Sequence, residues 1–349
     1  STLSPLGGVL GDGSGGGEFA WQLKRAGYDQ IVVKGRSPRP CVLSIDDERV
    51  EIRDARSLWG LDTWEATDRL RQDLGDDTSV ACIGPAGERL VRFASTIIDK
   101  YASAAIGSGA VAGSKNLKAI AVRGSNPPRL ADPEGFRDLA QIDREIFRND
   151  PFFRNTVSKY GSIIGVEEWG PGFRNSQRRW TGADVPPALR KDAWKEYEVG
   201  HTGCHGCPLR CKNVIRIPEG PQKGEVGEGL EYEAIHWLGI NSGILDPIAI
   251  MEMSNYADRQ GMDVIGLGSV VGFAKELYEK GIISLEDTGG ISLDWKDSES
   301  QKLLITMTAE RKDFGDLLAL GMAGLAERLG KDAARYCFDV KGVTRGVYH

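Results

Sequence analysis

Residues 119–133 read Ala-Ile-Ala-Val-Arg-Gly-Ser-Asn-Pro-Pro-Arg-Leu-Ala-Asp-Pro, and the pattern of the chain changes across them. The apolar run at 119–122 is typical of a buried strand, whereas Asp132 followed by Pro133 is typical of a helix start. Residues 124–130, with Gly and a Pro-Pro pair, predict a linker. The sequence therefore predicts an α+β chain, with a β-rich domain over 1–124 and a mainly helical domain over 130–349.

Strand patterns before the linker alternate with one capped helix. Strands are predicted at 31–33, 80–83 and 119–122, and a hairpin is predicted at 41–52, turning about Asp46 and Asp47. Asp62 and Glu65 have the spacing of a capping box, so a helix is predicted from Asp62 to Gly75.

After the linker the periodicity is mainly helical. The first helix begins at Asp132 and Pro133, and its apolar residues form one stripe: Phe136, Leu139, Ala140, Ile146 and Phe147. Further helices are predicted at 246–261, 270–280 and 314–329.

Composition excludes several classes of protein. The 349 residues include 44 Lys and Arg against 50 Asp and Glu, a net charge of −6. An acidic chain without a run of Lys or Arg does not favour a nucleic-acid partner. No apolar run reaches the roughly 18 residues that span a membrane. The first residues match no signal or transit peptide, so we expect a cytoplasmic protein.

The strongest chemical signal is a C-x2-C-x3-C run formed by Cys204, Cys207 and Cys211. Three thiolates at this spacing on a loop can bind a [4Fe–4S] cluster whose fourth ligand lies elsewhere. The alternative is a zinc site completed by His201 or His205. Six cysteines are too few for a disulfide scaffold, and their clustering indicates a metal site in a reducing compartment.

Glycine-rich segments at 11–16, 107–116 and 258–263 form the second signal. The first matches G-x-G-x-x-G but lacks a preceding strand, which argues against a dinucleotide fold. The second resembles a phosphate loop without the Gly-Lys-Ser/Thr order. In the third, Gly261 lets the backbone turn between Asp258 and Asp263. Each segment alone is more typical of a turn than of a binding site.

Taken together, these stretches resemble a known family. The matching segments are Leu23-Lys-Arg-Ala-Gly-Tyr-Asp29, Ile83-Gly-Pro-Ala-Gly-Glu88, Val91-Arg-Phe-Ala-Ser95, Gly113-Ser-Lys-Asn-Leu-Lys-Ala-Ile-Ala-Val-Arg-Gly124, the cysteine run, Leu230-Glu-Tyr-Glu233 and the D-x-x-G-[L/M]-D stretch at 258–263. On these residues the chain resembles the aldehyde ferredoxin oxidoreductases, tungsten enzymes with a bis-pterin cofactor. The resemblance covers nearly the whole chain.

The resemblance implies a role for each matched motif. The three cysteines of the run match three of the family's four cluster ligands, and the stretch at 258–263 matches a motif whose acidic side chains bind pterin nitrogens. Together with the glycine-rich segments, this predicts cofactor contacts at Ser14, Gly16, Gly109, Gly113, Lys115, Asp258, Gly261, Met262 and Asp263.

Two glutamates, Glu231 and Glu233, lie in the stretch that supplies the family's active-site carboxylate, which would accept a proton. The alternative interpretation of either one is a glutamate on an exposed turn. His236, three residues after Glu233, is interpreted as helix packing.

Several positions depart from the family pattern. Ser14 stands where the family usually has an Asn that helps to hold the magnesium bridging the pterin phosphates, and Tyr101 and Ala105 stand where it has arginines. These changes weaken the phosphate-binding argument and indicate a divergent branch. Some members have an E-x-x-H pair for an interface iron; this chain keeps Glu252 but has Asn255 in place of the His, so that iron is not expected.

Two of the family's cofactor and active-site residues are not found in this sequence. The family's fourth cluster cysteine and its catalytic histidine lie beyond residue 349, so we expect an internal fragment that does not bind the complete set alone. Cys337 lies in a strand-like run and is expected to be a core residue.

The resemblance implies the oxidation of an aldehyde to a carboxylate, in which water supplies the oxygen, tungsten falls from +6 to +4 as it takes two electrons, and a Glu takes the proton. Electrons would leave through the cluster to ferredoxin or a similar one-electron carrier. The pterin could hold molybdenum in place of tungsten. A homo-oligomer is an open alternative to a single chain. Two alternatives remain open. One is a reductase subunit of the benzoyl-CoA type, and the other is a zinc-binding structural protein without enzyme activity.

Overall fold

A mixed sheet organises the N-terminal part of the computed structural model, which describes residues 1–344. Its order from one edge to the other is Arg49–Asp54, Cys41–Asp46, Leu117–Arg123, Ser79–Cys82, Thr96–Ile98 and Ala102–Ala104. Cys41–Asp46 and Leu117–Arg123 are parallel, and the other neighbours are antiparallel. The hairpin and the strands expected at 80–83 and 119–122 are confirmed.

Helices cover both faces of this sheet. Thr63–Leu74 packs Ala66 and Leu70 on one face, and its capping box between Asp62 and Glu65 is formed as expected. Phe19–Arg25, which the sequence reading did not include, packs on the other face. Two shorter helices complete this part: Pro85–Glu88 and Ser108–Ser114.

The strand expected at 31–33 is wrong. Ile31 packs on the face of the sheet beside Phe19–Arg25, and Val32 is 64% exposed. The run therefore packs through the Ile31 side chain and makes no backbone pairing with the sheet.

Helices dominate the rest of the chain, and the prediction of an α+β fold with a helical second part is confirmed. The longer helices are Pro133–Asn149, Pro247–Gln260, Val264–Glu279, Ser298–Glu310, Phe314–Leu318 and Gly321–Leu329. Shorter helical segments are Phe153–Val157, Ser158–Tyr160, Gly161–Ile164, Gly165–Glu168, Pro187–Leu189, Ala193–Glu196, Tyr232–Ala234, Ile235–Gly239, Ile240–Ser242 and Lys331–Ala334. No helix in residues 1–344 has the length and apolarity needed to cross a membrane.

Several boundaries in the helical part differ from the prediction. The helix expected at 270–280 begins at Val264, because Asp263 caps the backbone N–H groups of Ile265 and Gly266. The helix expected at 314–329 is two helices, Phe314–Leu318 and Gly321–Leu329, with a left-handed Gly321 after the break.

A three-stranded antiparallel sheet was also not predicted. It consists of Glu198–Thr202, Lys212–Arg216 and Val226–Leu230, and it carries the cysteine run between its first two strands. Three two-stranded pairs accompany it: Thr2–Leu3 with Leu10–Gly11, Gly172–Phe173 with Arg178–Arg179, and Asp339–Val340 with Val343–Thr344.

The helical domain and part of the N-terminal domain share one core. Residues from the 86–110 segment, among them Val91 and Phe93, are fully buried in the same cluster as Leu267 and Phe273 of Val264–Glu279. Pro133–Asn149 instead has no buried residue, and Phe136 on its apolar stripe is 58% exposed.

Replacing Gly113 with Ala is expected to destabilise the protein. A Cβ at Gly113 would lie 2.0 Å from the backbone oxygen of Gly87, so Ser108–Ser114 would have to move away from Pro85–Glu88. We expect a loss of about 1–3 kcal/mol in the free energy of unfolding, measured by denaturant titration. Gly200→Ala is the control, since a Cβ there meets nothing within 4 Å. Equal stability of the two variants would contradict this packing.

Candidate functional site

A pocket of about 340 Å³ lies where the N-terminal loops meet the helical domain. We call it the carboxylate pocket, after its four acidic residues. Its lining residues are Ser14, Tyr101, Ser103, Ala105, Lys212, Glu231, Glu233, Ala234, Ser254, Asp258, Asp263, Val264 and Ile265. The pocket therefore brings together five predicted site residues: Ser14, Glu231, Glu233, Asp258 and Asp263.

The turn between two helices places Asp258 and Asp263 in this pocket. Pro247–Gln260 ends at Gly261, which has a φ of 71°, and Asp263 begins the next helix. A Cβ at Gly261 would also lie 2.6 Å from the backbone nitrogen of Gly84. Both the left-handed backbone and this close approach require glycine.

The Asp258 side chain is surrounded by protein atoms, but part of it faces the pocket. Burial raises the pKa of Asp258 to about 7; the positive charge of Lys212 opposes this shift, and the negative charge of Glu231 adds to it. Within residues 1–344 no side chain or backbone N–H donates a hydrogen bond to its carboxyl. A ligand with N–H groups, such as a pterin ring, would supply the missing donors.

Asp263 has a different environment. Its two carboxylate oxygens accept hydrogen bonds from the backbone nitrogens of Ile265 and Gly266, both at 3.1 Å. Burial raises the pKa of Asp263 to about 6, against the lowering effect of these bonds, and the charge of Glu233 adds to the rise. Asp263 therefore caps a helix and also lines the pocket.

Glu231 is held by two partners. Its Oε1 lies 2.8 Å from the Lys212 ammonium, and its Oε2 accepts a hydrogen bond from the Ser162 hydroxyl. Neither Lys212 nor Ser162 was predicted as a site residue. The only sequence signal for Lys212 is its place directly after Cys211, while nothing in the spacing indicates Ser162.

The cysteine loop, residues 203–211, lies against the N-terminal domain. All three of its cysteines are partly buried. A Cβ on Gly16 would lie 2.4 Å from the Cys204 sulfur, so that sulfur packs directly against the backbone of the N-terminal loop. Three thiols on one loop match the donor set of a [4Fe–4S] cluster.

Both histidines considered as zinc ligands have other contacts. His201 has its Nε2 3.0 Å from Glu198 and its Nδ1 3.3 Å from the Arg210 carbonyl. His205 stacks on Trp21 with ring centroids 4.2 Å apart and places its Nδ1 2.7 Å from Glu18. In the described residues, no group of three or more His, Cys, Asp or Glu has the arrangement of a metal-ion site.

Six predicted cofactor contacts are not among the residues that line the pocket: Gly16, Gly109, Gly113, Lys115, Gly261 and Met262. Gly109 and Gly113 let Ser108–Ser114 approach the backbone of Ser95 and Gly87, and Met262 is buried in the core. Lys115 donates a hydrogen bond to the Gly35 carbonyl near the surface. The structure gives these residues packing roles, and their predicted cofactor contacts stay predictions.

His236 and Cys337 are both placed by packing. His236 is fully buried and lies with its Nε2 3.1 Å from the backbone of Gly172, and burial lowers its pKa to about 3, so it is neutral at physiological pH. Cys337 is partly buried against the helical core, but it precedes Asp339–Val340 and is not in a strand.

Two family models match this chain, one on each side of the linker after residue 124. Residues 1–124 match the model of the aldehyde ferredoxin oxidoreductase N-terminal domain, and residues 139–349 match the model of domains 2 and 3 of that enzyme.

The chain belongs to the aldehyde ferredoxin oxidoreductase family.

Curated relatives from Pyrococcus furiosus include a tungsten-containing aldehyde ferredoxin oxidoreductase, 38% identical over 94% of this chain and 55% of that protein. Another is the WOR-like subunit of an aliphatic sulfonate oxidoreductase, 31% identical over 95% of this chain and 56% of that protein. This chain thus spans about half the length of these relatives.

A solved structure is similar over almost all of the chain. It is the BamBC active-site complex of benzoyl coenzyme A reductase with 1,5-dienoyl-CoA, which has a TM-score of 0.85 and 27% identity. The match covers 99% of this chain and 54% of that chain. Membership in the family implies a tungsten–pterin cofactor, and the carboxylate pocket with its undonated Asp258 carboxyl fits a group that carries N–H donors.

Asp258→Asn is expected to stabilise the cofactor-free protein above neutral pH. A carboxyl whose folded pKa is raised favours folding below its unfolded value, near 3.8, and this contribution is lost as pH rises to about 7. The amide avoids that loss, so we expect a gain on the order of 1–3 kcal/mol at pH 8 and almost none at pH 4.

Urea unfolding of protein produced without tungsten measures this difference. Asp246→Asn is a control, because Asp246 caps Pro247–Gln260 from outside the pocket. A variant at Asp258 that is no more stable than the unmodified protein at pH 8 would show that the carboxyl is not strained by its surroundings.

Proposed function

We propose that this chain is part of an oxidoreductase that oxidises an aldehyde to a carboxylate at a tungsten–pterin centre. Electrons then pass through a [4Fe–4S] cluster to ferredoxin or a similar one-electron carrier. The observation that carries the proposal is the carboxylate pocket, where Glu231, Glu233, Asp258 and Asp263 face one space beside the cysteine loop.

The chemistry of the proposed cofactor is two-electron oxidation, which the protein must couple to one-electron transfer. An aldehyde and water yield a carboxylic acid, two protons and two electrons. In this proposal Asp258 and Asp263 would hold the pterin through its N–H groups, and the Ser14 hydroxyl would contact its phosphates or a magnesium ion. Cys204, Cys207 and Cys211 would hold the cluster, which would supply one-electron transfer.

Glu233 is assigned as the proton acceptor from its position in the pocket. Glu231 is held in place by Lys212 and Ser162. Glu233 lies in the same pocket, and its charge raises the pKa of Asp263, which places it close to that pterin-binding position. A carboxylate at this point can take a proton from an activated water or from the product acid.

The second candidate function is the reduction of an aromatic acyl-CoA. It is supported by the likeness to the benzoyl coenzyme A reductase complex over 99% of this chain. Tyr101 and Ala105, at positions where the sequence resemblance expects arginines, line the carboxylate pocket and would alter its substrate range. The zinc-binding hypothesis has less support, because the contacts of His201 and His205 are made elsewhere.

An activity assay separates the two enzymes. The protein from the complete gene, purified without oxygen, is given acetaldehyde or benzaldehyde with ferredoxin as acceptor, and separately benzoyl-CoA with reduced ferredoxin. Carboxylate formation supports the proposal. Consumption of benzoyl-CoA without aldehyde oxidation would move the assignment to the reductase.

Glu233→Gln is expected to lower kcat by about 10²–10⁴-fold, because the amide cannot accept a proton. Iron and tungsten contents should stay unchanged, since Glu233 holds neither group in this proposal. Glu134→Gln is the control, on an exposed helix turn away from the pocket. Activity of Glu233→Gln close to that of Glu134→Gln would contradict the role of Glu233.

Cys207→Ser is expected to remove most of the bound iron, from about four per chain toward zero, together with its visible absorption. Cys337→Ser is the matched control, because Cys337 is similarly half-buried but lies outside the cysteine loop and donates its thiol to Asp339. Iron retained by Cys207→Ser, or lost equally by both variants, would contradict the cluster assignment.

A further inference from the structure

We propose that Lys212 is a positioning residue that couples the cysteine loop to the carboxylate pocket. Its ammonium fixes Glu231 and keeps a positive charge beside Cys211. The inference rests on the proposed function, in which Cys211 is a cluster ligand, and it goes further by assigning a role to a residue outside the predicted site.

Strand pairing places Lys212 and Glu231 side by side. Lys212 begins Lys212–Arg216 directly after Cys211, and Glu231 directly follows the neighbouring strand Val226–Leu230. Asn213 pairs with Leu230 across these antiparallel strands. Lys212, which precedes Asn213, therefore lies opposite Glu231, which follows Leu230. The Lys212 nitrogen lies 2.8 Å from Glu231 Oε1, and the two side chains are 13% and 27% exposed.

A third segment closes around this pair. A Cβ on Gly161 would lie 2.1 Å from the Cys211 carbonyl, and its φ of 61° also requires glycine. Next to it, the Ser162 hydroxyl donates to Glu231 Oε2 and accepts from the Tyr232 backbone nitrogen at 3.0 Å. The cysteine loop, the Glu231 turn and the 160–162 segment are thereby held in one arrangement.

The charges of Lys212 and Glu231 are expected to change the reduction potential of the cluster. Lys212 is the one cationic side chain among the pocket-lining residues of the described chain, and it faces the charges of Glu231 and Asp258. A fixed positive charge next to a cluster ligand stabilises the reduced cluster, whereas a negative charge destabilises it. Lys212 and Glu231 should therefore shift the cluster potential in opposite directions.

The test compares cluster midpoint potentials by redox titration monitored with EPR. Lys212→Met should shift the potential to a more negative value, and Glu231→Gln should shift it to a more positive value. Lys212→Arg keeps the charge and should stay near the unmodified protein. Lys195→Met is the matched control, because Lys195 pairs with Glu198 on the same small sheet but outside the pocket.

Steady-state kinetics provide a second readout. Lys212→Met should lower kcat at least tenfold with KM within twofold, and Lys212→Arg should recover most of the rate. If Lys212→Met does not retain iron, Glu231→Gln decides the matter alone, since the lysine charge remains in that variant. Unchanged potentials in the variants that keep the cluster would overturn the inference.

The outcomes also separate this inference from the proposed function. If the unmodified protein shows no cluster signal, both the inference about Lys212 and the proposed function are contradicted. A normal cluster signal, with aldehyde oxidation but without opposite shifts at Lys212 and Glu231, would remove the inference and leave the proposed function in place.

Discussion

Backbone hydrogen bonds between residues 93–95 and 261–263 hold the two parts of the molecule together, and the carboxylate pocket depends on them. The Ser95 nitrogen donates to the Gly261 carbonyl at 2.9 Å, and the Asp263 nitrogen donates to the Phe93 carbonyl at 3.2 Å. Asp258 and Asp263 flank Gly261, so these bonds also hold both carboxyls against the N-terminal loops. A side chain at Gly261 would force the junction apart and open the pocket.

Local signals predicted the elements that local chemistry controls. The capping box at Asp62 and the proline-started helix at Asp132 form as expected, because their hydrogen bonds lie within a few residues. Elements that depend on distant partners were missed. The strand expected at 31–33 does not form, because Ile31 packs its side chain on the face of the sheet and the run makes no backbone pairing. The apolar stripe containing Phe136 predicted a helix, but its periodicity does not say whether the stripe is covered, and Phe136 is 58% exposed.

The site was predictable to the extent that its residues sit in recognisable motifs. The cysteine run, the two glutamates and the Asp258–Asp263 turn were identified from spacing and family resemblance, and the fold brings the acidic residues together in one pocket. Lys212 and Ser162 could not be identified in this way, because strand pairing places Lys212 beside Glu231 and Ser162 comes from a turn 69 residues before Glu231. Conversely, Gly113 lies in a motif specific to the family, but the structure requires glycine there because Ser108–Ser114 packs closely on the backbone of Gly87.

We infer that the carboxylate pocket holds a tungsten–pterin centre next to a [4Fe–4S] cluster. Metal analysis of the complete gene product, purified without oxygen, tests it most directly by counting iron, tungsten, molybdenum and zinc per chain. We expect about four irons and one tungsten per chain, or one molybdenum in place of the tungsten. One zinc per chain, with neither iron nor tungsten nor molybdenum, would contradict it.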